Sequence, residues 1–567
     1  MLKLIPAVKS LKLQEGFLRK KAILSAACAD ARLEKALGKL PRAADGVPVT
    51  VAFGCGDGEG YTLTVAENAI EIRGESAAGA FYAVQTLRQL FAHEKVPCLH
   101  IEDQPDFGIR GFYHDITRGR ISTLESLKNL VDDMAYYKLN HLQLYVEHVF
   151  PFRETADLVE KTGCITPEEL VAVQDYCREN FIEFVPSLST FGHMYEILEQ
   201  PRYKHLAVLK DYVPSPNFWT ERMAHHTLNP LVEGSFQLAD SLIDQYYGLF
   251  ESDFFNICCD ETFDIDRYLQ CDDPGKVYAD FVKKLIATVK ARGKKVMMWA
   301  DILLKHPEVI DDIPEDTIFL NWKYIKEPPE ELVQTLAKMG KTQIVCPGNT
   351  AWNRLCENVE VEEGNITAMV RYGKKWGALG VLNTNWGDWG HPCSLELGMY
   401  GLTLGAQLSW NSDAAPGEEF DRAVDMHLYG FDGGMALLRQ LSRLHKGVVW
   451  KDFVCSTLQL PQTTKSPHIW VEEEDFLTIQ KAMPALEQAL VQPWKKDNYR
   501  KEMLSCARGL WLIAQLSRQM AGFDTGTCPD THSWLDAYRE NWLVSNKKSE
   551  LDNIIRLFRT AQTRANG

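Results

Sequence analysis

Apolar residues recur along this chain in two rhythms, short strand-like runs and longer helical spacings, and their order changes twice. Residues 61–65 (Tyr-Thr-Leu-Thr-Val) and 69–73 (Ala-Ile-Glu-Ile-Arg) alternate as half-buried strands do, on either side of a turn containing Asn68. Residues 76–91 then place Phe81, Val84, Leu87 and Leu90 on one helical face. Up to residue 105 the pattern predicts a small α+β unit with packing as its only evident role.

From residue 109 to about 410 the two rhythms alternate through eight cycles. Strands are predicted at 109–116, 139–146, 182–188, 254–259, 295–300, 317–322, 343–346 and 379–383. Helices are predicted at 124–137, 167–180, 236–250, 276–292, 307–312, 330–339, 366–376 and 395–408. Ser122-Thr123 followed by Glu125 marks the first helix start. Eight strands alternating with eight helices predict an α/β protein built on a closed parallel (β/α)8 TIM barrel, with a doubly wound open sheet as the structural alternative. Beyond 411 helical spacing dominates (434–444, 474–492, 499–520), predicting helices that pack on the barrel or form a homodimer. The expected units are therefore 1–105, 106–410 and 411–567.

Composition narrows the partners. A chain of 567 residues exceeds one hydrophobic core, and 45% hydrophobic with 24% charged residues is ordinary for a globular protein. A net charge of −16 argues against nucleic acid or an anionic membrane, both of which need clustered Lys and Arg. No run of 18 apolar residues predicts a membrane span. Residues 1–16 lack the unbroken apolar run of a signal peptide, so the expectation is a cytoplasmic protein, or an exported one whose signal has been removed. Fourteen cysteines with no Cys-x-x-Cys pair, several in apolar runs, favour reduced thiols over a disulfide framework.

Reactive groups in a barrel collect where strands end, because the βα loops face solvent there. The first predicted strand is followed by Asp115 and Arg118, the second by Glu147 and His148, the third by His193. Asp260-Glu261 follows the fourth; Trp299 and Asp301 follow the fifth. The last three lead to Trp322 and Tyr324, to Trp352 and Asn353, and to Trp386 and Asp388. Aromatic faces stack on the C–H face of a sugar, and Arg and Asp fork onto its hydroxyls. Any one of these residues alone would read as packing; their coincidence at one rim points to a neutral sugar. Asp260-Glu261 closes the apolar run from Phe254 to Cys259, and adjacent carboxylates at a buried strand end repel, so one holds a proton as a general acid must. No His-x-His or His-Glu-x-x-His occurs, so neither metal nor cofactor is assigned.

At Asn256-Ile257-Cys258-Cys259-Asp260-Glu261-Thr262 the chain resembles the family 20 glycoside hydrolases, the β-N-acetylhexosaminidases, whose signature sets a His or Asn ahead of a small pair and Asp-Glu. The similarity runs from about 50 to 410 and includes Gly60-Tyr61-Thr62-Leu63 and the Ala-Ala-Gly-Ala-Phe-Tyr-Ala helix at 77–83. The resemblance implies a retaining exo-β-N-acetylhexosaminidase that removes terminal β-linked GlcNAc or GalNAc from a glycan. Glu261 would protonate the leaving oxygen, the substrate's acetamido carbonyl would attack to form an oxazolinium, and Asp260 would hold the acetamido N–H, an exception to the two-carboxylate scheme. It further implies that Arg118 binds sugar hydroxyls, that His193 is the family's Pro-Gly-His histidine, and that Trp299, Trp322 and Trp386 wall the pocket. Asp388 stands where the family has Trp-x-Glu. The chain departs from the family's His-x-x-Asp-Asp, with Tyr145-Val146-Glu147-His148 in its place and Glu147 as the substrate-binding candidate. The family's Tyr-x-Asp gives way to Trp352-Asn353, which leaves Tyr324 as the candidate tyrosine. An O-GlcNAcase-like hydrolase and a catalytically silent acetamido-sugar-binding protein are the rival readings; the second has no need of Asp260-Glu261.

Overall fold

A computed structural model describes residues 2–24, 28–212, 217–224, 226–460, 471–526 and 531–566, the side chains of 161, 162 and 218 apart. Strands Ser10–Phe17 (β1), Val49–Phe53 (β2), Tyr61–Val65 (β3), Ile70–Gly74 (β4) and Pro97–Asp103 (β5) form one sheet in the order β1-β5-β3-β4-β2. The two strands and the helix expected here are present, the helix as Ala77–Leu90 capped by Ser76. Phe81, Val84, Leu87 and Leu90 are buried, and so is nearly every other position of that helix, because it is covered on more than one side. The edge strand β1 escaped the pattern: it exposes Leu13 and Phe17, so its alternation does not separate core from solvent.

Nine further strands follow: Ile109–Asp115 (β6), His141–Val146 (β7), Glu183–Leu188 (β8), Phe254–Asn256 (β9), Lys295–Trp299 (β10), Ile318–Trp322 (β11), Gln343–Cys346 (β12), Gly348–Asn349 (β13) and Gly380–Asn385 (β14). All pair in parallel. β14 pairs with both β6 and β12, which closes the sheet and eliminates the open doubly wound alternative. The two-residue β13 continues the line of β12 beyond Pro347, which cannot donate to the ladder. Every predicted barrel strand is found within a few residues of its expected place. The largest difference is β9, which stops at Asn256 instead of Cys259.

Inside the barrel Tyr113, Tyr145, Val185, Cys258, Met297, Trp299, Leu320 and Leu382 form a cluster separate from the main core between strands and helices, and Trp386 caps it. The C-terminal part is helical: Gly434–Leu444, Trp450–Leu458, Glu473–Leu490, Asp497–Met520, Thr531–Ser545 and Leu551–Asn566. The first sheet is sealed to the barrel by buried polar contacts. Asp103 accepts from Tyr61 Oη at 2.8 Å, Trp410 Nε1 at 3.0 Å and Lys138 Nζ at 3.3 Å, and buried Arg110 pairs with Glu59. All thirteen described cysteines are free thiols, and no described helix is long and apolar enough to cross a membrane.

Candidate active site

The end of β9 is where backbone and chemistry meet. Cys258 (φ 58°), Cys259 (φ 67°) and Glu261 (φ 47°) all lie in the left-handed region, which costs a side-chain-bearing residue roughly 1–2 kcal/mol each. The turn is held by hydrogen bonds: Cys258 N donates to Asn256 Oδ1 at 2.9 Å, Trp299 N to the Cys258 carbonyl at 3.0 Å, and Glu261 N to Asp301 Oδ2 at 3.0 Å. Asn256 Nδ2 in turn donates to Gln143 Oε1 at 2.9 Å. This bend ends the strand early and turns Asp260 and Glu261 into the barrel mouth. Gly192 lies against it; a Cβ there would stand 2.4 Å from the Asp260 carbonyl oxygen.

Asp260 is buried, with Oδ2 3.2 Å from His193 Nε2 and Oδ1 lacking a hydrogen-bond partner in the protein. The Glu261 side chain is about a third exposed, and its Oε2 lies 3.5 Å from the same nitrogen. Burial raises the Glu261 pKa above its ordinary 4.5 and Asp260 adds to the rise, while His193 opposes it. Asp301 sits beneath both; burial first, then the Asp260 charge, pushes its carboxyl up to about 8. Two carboxyls beside Asp260 are therefore pushed toward holding a proton, Glu261 and Asp301, and the sequence pair contained only the first of them.

Two influences compete at His193. Burial, the largest single influence, disfavours its charge, yet the charge and hydrogen bond of Asp260 together with the charge of Glu261 lift the pKa to about 9. Arg118, however, contacts Nδ1 at 3.1 Å, and a guanidinium only donates, so that nitrogen is bare. The contact geometry is that of a neutral ring, its one proton on Nε2 toward the carboxylates; a second proton would displace Arg118.

Arg118 organises the opposite wall. It donates to Asp388 Oδ1 at 2.5 Å, Glu147 Oε1 at 3.2 Å and Tyr145 Oη at 3.3 Å, and its guanidinium lies over the Tyr145 and Trp386 rings. Burial alone would raise the Glu147 pKa, but His148, Arg118, His193 and Arg222 together lower it. Asp115, fully buried, accepts from the backbone N–H of Thr117, Arg118 and Gly387, tying the loop after β6 to the loop after β14. Across the mouth, Trp322 stacks on Tyr324 at 4.9 Å and Trp352 meets Tyr324 edge-on at 5.1 Å. Trp386 Nε1 donates to Tyr324 Oη at 2.8 Å.

These groups enclose a cavity of about 340 Å³. Of the residues predicted from the sequence, Asp260, Glu261, Arg118, Trp322, Tyr324, Trp352, Trp386 and Asp388 line it. Four do not. Glu147 lies behind Arg118, His193 behind the two carboxylates, and Asn353 does not join its neighbour Trp352 in lining the cavity. Trp299 is fully buried in the barrel interior, 5.7 Å from Trp386, and forms the floor beneath it. Met223, Lys323 and Ile325 line the cavity without having been foreseen. They come from connecting segments with no periodic signal.

The chain matches the sequence models of two domains of one family: glycosyl hydrolase family 20, catalytic domain, over residues 107–387, and glycosyl hydrolase family 20, domain 2, over residues 1–104. The chain belongs to glycosyl hydrolase family 20. Among curated relatives, this family 20 chain is 27% identical over 285 residues to a β-hexosaminidase of Porphyromonas gingivalis, across 43% of this chain and 36% of that one. It is 22% identical over 357 residues to a β-hexosaminidase of Vibrio furnissii, across 54% of each. The family 20 chain thus spans about a third to a half of the length of these relatives. Among solved structures, the chitobiase of Flavobacterium johnsoniae shares the fold with a TM-score of 0.62 at 17% identity, covering 100% of this chain and 99% of that one. The exo β-N-acetylglucosaminidase of Vibrio harveyi, solved with N-acetylglucosamine, gives a TM-score of 0.59 at 17% identity over 75% and 76% of the two chains.

Proposed function

We propose that this family 20 chain is a retaining exo-β-N-acetylhexosaminidase that releases terminal β-linked GlcNAc, GalNAc or both from glycans, through the substrate's own acetamido group. The observation that carries the reading is the placement of Asp260 and Glu261 side by side in one aromatic cavity. Neighbouring carboxyls on one strand end cannot flank a sugar from opposite faces as nucleophile and acid must, so an internal nucleophile suits them better. The names of the curated relatives agree with this activity.

In this mechanism Glu261 gives its proton to the glycosidic oxygen as the C1–O bond breaks. The acetamido carbonyl oxygen bonds to C1, forming the oxazolinium. Asp260 accepts the acetamido N–H through the oxygen that lacks a protein partner and offsets the developing positive charge. Glu261, now a carboxylate, takes a proton from water as the water oxygen attacks C1 and the C1–oxygen bond to the acetamido group breaks, its electrons restoring the neutral amide, so configuration is retained and the acid is restored. Arg118 and Asp388 hold sugar hydroxyls, Trp322, Trp352 and Trp386 wall the ring and acetamido group, and Tyr324 steadies the acetamido oxygen. Glu147, His193 and Trp299 support Arg118, Asp260 and Trp386 from behind.

The test compares wild type with Glu261→Gln on p-nitrophenyl β-GlcNAc, β-GalNAc and β-glucoside. Wild type is expected to turn over one or both acetamido sugars and essentially no glucoside. On a natural glycan, whose leaving group needs protonation, Glu261→Gln is expected to lose about 10²–10⁴-fold in kcat. Equal cleavage of the glucoside would eliminate the acetamido-assisted route, and tight GlcNAc binding without turnover would favour a silent sugar-binding protein.

A further inference from the structure

The helices after the barrel reach the loops around the site at several points, among them Trp450 Nε1 donating to the Trp389 carbonyl at 2.8 Å and Tyr538 Oη to the Pro392 carbonyl at 2.9 Å, and one short segment reaches two of those loops at once. Residues 545–550, between the helices Thr531–Ser545 and Leu551–Asn566, run antiparallel to the loop that follows Arg118. Thr123 N donates to the Ser545 carbonyl at 3.0 Å, Lys547 N to the Ile121 carbonyl at 2.7 Å, and Glu550 N to the Gly119 carbonyl at 3.3 Å. The Glu550 side chain is nearly buried and turns toward a second loop. Its Oε2 accepts from Trp219 Nε1 and its Oε1 from Arg222, both at 2.7 Å. The residue after Arg222 is Met223, which lines the cavity.

A third loop meets the same point. Gly390, just beyond Asp388, lies so close to the Trp219 indole that a Cβ on it would stand 2.4 Å from the ring. Gly119 in turn packs on Gly390, where a Cβ would stand 2.4 Å from the Gly390 carbonyl oxygen. Both glycines have positive φ, 132° and 88°, so the close approach is built into the backbone. Loops carrying Arg118, Met223 and Asp388 therefore meet around Glu550: its backbone N–H holds the first, its carboxylate holds Trp219 and Arg222 of the second, and Trp219 packs on Gly390 of the third, the Trp219–Glu550 separation in sequence being 331.

We infer that the C-terminal helices complete the active site of their own chain, with Glu550 as the positioning residue that registers these three loops. The inference rests on the proposed sugar site and adds to it the part that sets its wall. A carboxylate suits the task because buried Arg222 pairs with Glu550 and Glu196; neutralising Glu550 removes the foremost of the charges that compensate it and leaves the loop to find another arrangement.

The experiment measures Glu550→Gln, Trp219→Phe and the control Lys547→Met in the full chain. Lys547 belongs to the same seam through its backbone, but its side chain donates to Glu169 and the Cys164 carbonyl, both at 2.6 Å, and to none of the loops that carry Arg118, Met223 or Asp388. Glu550→Gln is expected to raise KM for p-nitrophenyl β-GlcNAc about 5–20-fold with kcat within about threefold, because sugar contacts shift while Asp260 and Glu261 stay in place. Backbone deuterium exchange at 119–123 and 217–224 is expected to speed up in the same variant. Trp219→Phe, which removes the donor to Glu550 and the part of the indole that lies against Gly390, is expected to raise KM about two- to fivefold and decides the matter if Glu550→Gln does not fold. Lys547→Met is expected to leave both readouts at wild-type values. Unchanged KM and exchange in the first two variants, or an equal change in Lys547→Met, would overturn the inference. If wild type hydrolyses no substrate, the proposed activity falls while the exchange readout still decides the role of Glu550.

Discussion

Asp301 does not line the cavity, yet its Oδ2 accepts the backbone N–H of the proposed acid, Glu261. In the fold its carboxyl keeps a proton up to about pH 8, against an ordinary 3.8. Between those values the folded state binds more protons than the unfolded one, so stability falls as pH rises. Thermal melts from pH 5 to 8 are expected to show that decline in wild type and a flatter one in Asp301→Asn. The asparagine still offers Glu261 N–H an oxygen, so Asp301→Asn is expected to retain activity. Asp301→Ala does not, and kcat is expected to drop about 10–100-fold by loss of alignment, measured on the same chromogenic substrate. Glu261 itself titrates above its ordinary value. The alkaline limb of kcat/KM should therefore lie above the range of an unperturbed glutamate and vanish in Glu261→Gln.

At the scale of the element, the catalytic geometry depends on one short strand and the turn that ends it. β9 has three residues because Asn256 diverts Cys258 N–H to its side chain and the next residues enter left-handed backbone. The apolar run through Cys259 reads as a longer strand, since periodicity reports burial and not the sign of φ. The turn after β8 is fitted to this bend at Gly192, where the nearest atom is backbone and cannot move aside cheaply. Gly192→Ala is expected to lower kcat/KM by at least about tenfold and to lower Tm, whereas an alanine in an open loop would do neither. A variant with wild-type kinetics would show that the two turns are not in register.

Across the whole molecule, the first sheet and the barrel share a buried polar seam centred on Asp103 and Lys138. Burial lowers the Lys138 pKa to about 8, with Asp103 opposing that fall. Removing one partner strands the other charge without water, so Lys138→Met is expected to destabilise by about 3–5 kcal/mol in denaturant unfolding. Residues 1–410 are expected to melt in one transition in wild type, because separating the sheet from the barrel would expose that pair. A separate early transition for the first sheet would refute the coupling.

The sequence alone determined which segments become barrel strands, because a strand buried on both faces must be an unbroken apolar run between turns. It also determined the rim: strand ends in a barrel face one way, so Arg118, Asp260, Glu261, Trp322, Tyr324, Trp352, Trp386 and Asp388 could be grouped before any coordinates. Only tertiary structure decided which rim residues meet the cavity. Trp299 and Glu147 end strands too, but the barrel's inward layering puts one under the floor and the other behind an arginine. Met223 and Ile325 come from loops whose course is set by what they pack on, and Glu550 acts from another part of the chain altogether. Local patterning encodes burial and direction over a few residues. Which distant carboxylate reaches a loop is settled only when the whole chain has closed around it.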